Sequence, residues 1–203
     1  MRRFSTRTLL AAASAALAAV LLIAGGLVLW GSTYVHNTVH SQLAAQQIYF
    51  PPAAAFAHPK AGGEITPSMI PSVSQYAGQQ LLTGQQAEAY ADHFIAVHIN
   101  NMAGGKTYSQ LSTAAQAQPS NTALAATVST VFKGESLRSM LLNAYGWWKV
   151  SQITYIVSLV LFGLGAVAGV GSGFLFAFGR RPKGTVQLAK AGAHEEITPA
   201  ETA

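Results

Sequence analysis

Residues 8–30 read TLLAAASAALAAVLLIAGGLVLW, 23 positions without one ionisable side chain. At 1.5 Å per residue such a helix covers roughly 34 Å, enough to cross a hydrocarbon core of about 30 Å. A second run, residues 150–178, holds 29 uncharged residues and is long enough to cross with tilt. A cleaved secretory signal would carry an apolar stretch of roughly 7–15 residues and then a small-x-small site. The first run is longer than that, and residues 31–40 (GSTYVHNTVH) offer no such site. The pattern predicts an uncleaved signal-anchor followed by a second span.

Composition agrees. Of 203 residues, 9% are charged and 50% hydrophobic, whereas a soluble domain carries roughly 25% charged residues. The chain has no cysteine, which excludes disulfide scaffolds, Cys-based zinc fingers, thiol catalysis and Cys-ligated iron–sulfur clusters. A net charge of +5 would ordinarily raise nucleic acid as a partner. Its distribution says otherwise. Arg2, Arg3 and Arg7 precede the first run with no acid among them, and Arg180, Arg181 and Lys183 directly follow the second. Positive residues gather on the cytoplasmic side of spans, so both termini are expected in the cytoplasm of a plasma-membrane protein, with residues 31–149 outside. The expected partner is the lipid bilayer and not nucleic acid. Trp30 and Tyr34 at one run's end, and Tyr145, Trp147 and Trp148 before the other, would mark a single interface, where amphipathic rings favour the headgroup layer.

The expected organisation is a cytoplasmic N-terminus (1–7), a first span (8–30), an extracytoplasmic domain (31–149), a second span (150–178) and a disordered cytoplasmic tail (179–203). The external domain reads as all-α. Residues 32–47 continue the first helix outward. Five prolines and the Gly62-Gly63 pair make residues 51–71 an irregular connector. A short helix is expected over residues 72–82. Thr83 then caps a longer one, residues 84–102, with Ala87, Ala91, Phe94, Ile95, His98 and Met102 near one face, closed by Gly104-Gly105. Residues 107–117 and 120–132 read as two more short helices. Gly134 punctuates the chain before residues 135–148 run into the second span.

His36 and His40, four apart on a helix, share a face and could chelate one divalent ion. Asp92 and His93, beside Glu88, could complete a His-and-carboxylate metal site if the two helices pack together. No catalytic residue and no other cofactor is assigned. Gly104-Gly105-Lys106-Thr107 has the ending of a phosphate-binding loop, but position 100, where the first glycine belongs, is Asn100, and no strand precedes it. It reads as a helix C-cap. No G-x-S-x-G element is present.

Both spans carry small residues at four-residue steps: Ala11, Ala15 and Ala19 in the first, Gly165, Gly169 and Gly173 in the second. Such steps let helix backbones approach closely in lipid, either within the chain or toward another copy or another membrane protein. Neither span holds Asp, Glu, Lys, Arg or His. That argues against a proton relay and leaves no His ligand for an intramembrane haem.

The runs Ala87-Glu-Ala-Tyr-Ala-Asp-His-Phe-Ile-Ala-Val-His98, Ala103-Gly-Gly-Lys-Thr-Tyr-Ser109 and Leu141-Leu-Asn-Ala-Tyr-Gly-Trp-Trp148 resemble an uncharacterised family of actinobacterial two-span membrane proteins. The resemblance implies a helical domain between two spans and an envelope location, and brings no activity or catalytic residue with it. The leading functional expectation is a non-enzymatic, two-pass protein whose external domain is an interaction or accessory module. The alternatives are a metal-binding protein or metal-dependent enzyme using His36, His40, Asp92 and His93, and a small-molecule or envelope-sensing domain.

Overall fold

Helix α1 runs from Thr6 to Ala45 and α7 from Thr122 to Gly179, each far longer than the apolar run it contains. These come from a computed structural model that describes residues 6–59 and 64–179. Arg2, Arg3, the Gly62-Gly63 pair and the expected C-terminal tail from residue 180 lie outside the described residues. Both long helices are apolar enough to cross a membrane, and only 11% of the most apolar window of each is buried. A soluble core helix would be mostly covered. Leu9, Leu17, Ile23, Leu27, Ile153, Val160 and Val167 instead stand exposed.

Between these helices, in chain order, lie α2 (Ala53–Ala57), α3 (Ile70–Val73), a 3-10 turn (Ser74–Tyr76), α4 (Gly84–Tyr90), a π-helical segment (Ala91–Ile95), α5 (Ala96–Met102) and α6 (Tyr108–Ala117). Among the described residues every regular element is helical. Extended backbone pairs only at an isolated antiparallel bridge, Tyr49 with Gln80.

The described residues form two compact units, one from residues 6–21 with residues 163–179, the other Leu22–Phe162. In the first, Ser172 Oγ donates to the Ala11 carbonyl at 2.9 Å, and a Cβ placed on Gly169 would lie 3.8 Å from Ala18 Cβ. In the second, a Cβ on Gly25 would meet the Phe162 ring at 3.2 Å, and Ser32 Oγ donates to the Ser151 carbonyl at 2.7 Å. Within each unit the helix segments are antiparallel.

The buried small residues recur at seven and not at four. They are Ala11, Ala18, Gly25 and Ser32 on α1, continued by Val39, and Ser151, Ser158, Gly165 and Ser172 on α7. Ala15, Ala19 and Gly173 are exposed, and nothing lies within 4 Å of a Cβ on Gly173. This corrects the four-residue reading. A four-residue step turns about 40° around an α-helix, while a seven-residue step drifts only about 20°. Close packing within each unit therefore follows the seven.

The head of the second unit packs around Phe50, Phe56, Met69, Val73, Leu81, Ala87, Ala91, Phe94, Ile95, Ile99, Val131, Leu141 and Trp148. Thr83 caps α4 as expected. Its hydroxyl accepts from Gln86 N at 3.2 Å, while Gln86 Oε1 accepts from Thr83 N at 3.0 Å, which satisfies donors the helix start would leave orphaned. Gln86 is buried, and its amide also reaches Leu82 N and the Gln79 side chain. At the far end, Gly104 and Gly105 take φ of 58° and 77°. Gly105 N bonds the Asn100 carbonyl at 2.9 Å, the left-handed closure expected of a glycine C-cap.

Two expectations fail here. Residues 72–82 do not form one helix: α3 and the 3-10 turn stop at Tyr76, Gly78 turns with φ of 69°, and Gln80 enters the bridge. Gly134 does not punctuate the chain either, because α7 passes through it unbroken. A Cβ there would lie 2.7 Å from Ile99 Cδ1. The glycine admits a neighbouring side chain; it does not end a helix.

Gly84 is tighter still, since a Cβ would fall 2.3 Å from Trp148 Cβ and Cγ, whereas Gly146 has nothing within 4 Å. Gly84→Ala should destabilise by about 1–3 kcal/mol, the usual cost of overpacking. Gly146→Ala should stabilise by up to about 1 kcal/mol through helix propensity. Thermal unfolding of the detergent-purified chain followed by circular dichroism should move in opposite directions for the two.

Candidate functional site

Three of the four residues expected to hold a metal are engaged elsewhere. His36 lies ring to ring with Trp148, centroids 4.1 Å apart. His40 Nδ1 is 3.2 Å from the Leu82 carbonyl. Asp92 accepts from Arg138 Nη2 at 2.8 Å and from Nε at 3.2 Å, and His93 is exposed. Among the described residues, no group of three or more His, Asp or Glu side chains comes together as a metal set. The condition that the two helices would assemble these ligands is not met.

Asp92 and His93 belong to the π-helical segment. Its extra residue per turn shifts everything after it, so Ile99 is buried while Met102, expected on the inner face, is 51% exposed. Single π turns inside α-helices frequently mark functional sites. Here the turn places Asp92 against Arg138 of α7, and Arg138 also reaches Glu135 at 3.5 Å. The hydrogen bond to Asp92 leads the causes that raise the Arg138 pKa. Both partners are about a third exposed, so the pair contributes at most about 1 kcal/mol.

His98, one turn further on, is the most unusual polar group of the head. Its Nδ1 is 2.8 Å from the Phe94 carbonyl. A carbonyl only accepts, so Nδ1 carries the proton, and in the neutral ring Nε2 keeps a lone pair. That Nε2 is buried without a partner. The ring borders a cavity of about 320 Å³ whose wall includes Phe94, Ile99, Met102 and Leu137, with Glu64, Thr130 and Lys133 as its polar members. With Nε2 closed off from solvent, this imidazole cannot act as a base on an outside substrate without moving. The sequence puts His98 on the core face of residues 84–102, five residues beyond His93, and carries no signal for its orphaned nitrogen.

The expected interface aromatics divide. Trp30 and Tyr34 are exposed and stacked at 5.9 Å, and Trp147 is 53% exposed. Tyr145 lies under Lys149 Nζ at 5.7 Å. Trp148 turns inward, 6% exposed, with its Nε1 buried and unpartnered. Of the packing glycines, Gly165 is buried, Gly169 approaches Ala18, and Gly173 meets nothing.

The chain matches no family model, no curated protein and no solved structure. None of these comparisons identifies the actinobacterial two-span family.

Tyr90 packs between Phe50 and Phe94, at 5.3 and 4.7 Å. Burial, and then the Glu64 carboxylate, push its hydroxyl above the usual pKa. A raised folded-state pKa means that stability is full below the unfolded value, about 10, and falls as pH rises through the folded one. The protein should therefore lose stability above about pH 10, less steeply in Tyr90→Phe. Alkaline denaturation midpoints, with phenolate absorbance recorded alongside, check both statements.

Proposed function

We propose that the chain is a non-enzymatic, two-pass plasma-membrane protein with both termini in the cytoplasm. Its residues 31–149 form an external helical module that docks a neighbouring membrane protein or a second copy. The positive charges flanking the apolar runs support this orientation.

The observation that carries the docking role is one face of α7. Met140 and Trp147 are 69% and 53% exposed, and with Asn143 they line a groove of about 420 Å³ closed by Val39 and Gln42 of α1. At about 100° per residue they stand opposite Arg138. Of the charged groups near it on α7, Glu135, Arg138 and Lys149 share the other side of the helix, while Lys133, one heptad before Met140, does not line the groove. Between Met140 and Trp147 the exposed face is thus free of charge and large in apolar area, which marks association surfaces. It also belongs to a helix that continues unbroken into the apolar run.

Gly165 and Gly169 serve packing inside the chain, so the docking surface is placed on Met140 and Trp147 and not on the glycines. Because the chain lacks cysteine, Met140→Cys supplies a unique thiol. Oxidative or bismaleimide cross-linking in native membranes should give a discrete adduct at position 140 and none with Ser109→Cys on the exposed start of α6. An unmodified monomer at both positions would remove the docking reading.

A further inference from the structure

We propose a glycerophospholipid site in the cleft between α1 and α7 at the outer edge of the apolar runs. It rests on the reading that these runs cross a bilayer. The cleft holds about 420 Å³ and is lined by Ser32, Thr33 and His36 of α1 and by Ser151, Gln152, Tyr155 and Ile156 of α7. That volume falls within the roughly 300–1,000 Å³ of small-ligand sites.

The cleft exists because the seam is small here. Ser32 and Ser151 meet through a 2.7 Å hydrogen bond, and between larger neighbours two serines leave a depression. Its depth is set by the sequence. Lys149, the last charged residue before the second run, is one position outward of Val150, and Trp30 and Tyr34 stack at the end of the first. Residues 151–156 therefore span about 8 Å of helix, from that edge into the apolar layer. This is where phosphate and ester groups give way to acyl chains.

The polar inventory selects the ligand. Three hydroxyls are already spent on backbone carbonyls: Ser32 on Ser151, Ser151 on Trp148, and Thr33 on Leu29. The Gln152 carboxamide, the His36 imidazole and the Tyr155 hydroxyl have no hydrogen-bond partner among the described residues. Each carries at least one N–H or O–H. At this depth water is scarce, and polar groups without partners are costly. Several donors around one cleft call for a ligand rich in acceptor oxygens with an apolar body. A phospholipid supplies phosphate and ester oxygens to Gln152, His36 and Tyr155 and an acyl chain to Ile156. A sterol, with a single hydroxyl, would leave most of these donors unmet.

The full chain, reconstituted in vesicles of phosphatidylethanolamine and phosphatidylglycerol and then released into mild detergent, should retain one phospholipid by native mass spectrometry. The double variant Gln152→Leu/Tyr155→Phe should retain about tenfold less, equivalent to about 1.4 kcal/mol. Thr38→Val, outside the cleft and with a hydroxyl that bonds only the Tyr34 carbonyl of its own helix, should retain as much as the parent. Helicity by circular dichroism confirms that each variant is folded; should the double variant misfold, Gln152→Leu alone is read for the same loss. Bare protein, a detergent adduct in place of lipid, or equal retention in the folded double variant overturns the site. Alkaline extraction of the same membranes separates the two readings. Release of the chain defeats the spanning reading and the site together, whereas a chain that stays integral without lipid defeats the site alone.

Discussion

The indole of Trp148 is the contact on which the head of this protein depends. It leaves α7 one residue before the charged edge at Lys149, lies against the His36 ring of α1, and passes so close over Gly84 that any side chain there would collide with it. Three helices are thereby tied at one point: the two that carry the apolar runs and the one that opens the core of the head. Burying an indole removes a large apolar area from water, and here it does so although Nε1 finds no acceptor. The Thr83–Gln86 capping box sits immediately beside this point. The start of α4 is thus fixed by its own hydrogen bonds as well as by the indole that lies over it.

The same economy of space runs down the seam. Alanine, glycine and serine at seven-residue intervals let α1 and α7 approach closely within each unit, and two serines bond across at backbone carbonyls. In lipid no hydrophobic force drives helices together, so close packing and such hydrogen bonds have to suffice. The large aliphatic side chains face outward in consequence. A pair of helices built this way exposes the kind of surface that a soluble protein would hide.

Much of this was legible in the residues. Both apolar runs, the outward continuation of α1, the Thr83 cap, the glycine closure at Gly104-Gly105 and the α6 helix follow from composition, propensity and capping chemistry, all of which are local. What escaped was non-local. Gly134 looks like punctuation until Ile99 is seen against it. The four-residue steps of Ala11, Ala15 and Ala19 look like a seam until Ala18 is found buried and Ala15 exposed. Trp148 looks like a member of an aromatic girdle because its neighbours Trp30, Tyr34 and Trp147 are exposed, and only the register of α7 turns it inward. His36, His40, Asp92 and His93 looked like ligands by type and spacing. The partners of the first three, Trp148, Leu82 and Arg138, come from distant parts of the chain, and His93 is exposed.

Charge placement carries the argument furthest. Residues 31–149 hold few charged side chains for their length, and several gather in one region: Asp92 and Glu135 on Arg138, with Glu88 beside Tyr145 and Lys149 over the same ring. Concentrating them on the side of α7 that faces α4 and the π-helical segment leaves the reverse side uncharged from Met140 through Asn143 to Trp147. Scattered charges would have solvated both sides and precluded close association on either. Under the proposed function, this short uncharged stretch is where a helix of a neighbouring protein would lie. The scarcity of charge that first separates this chain from soluble domains therefore acts through geometry as much as through number.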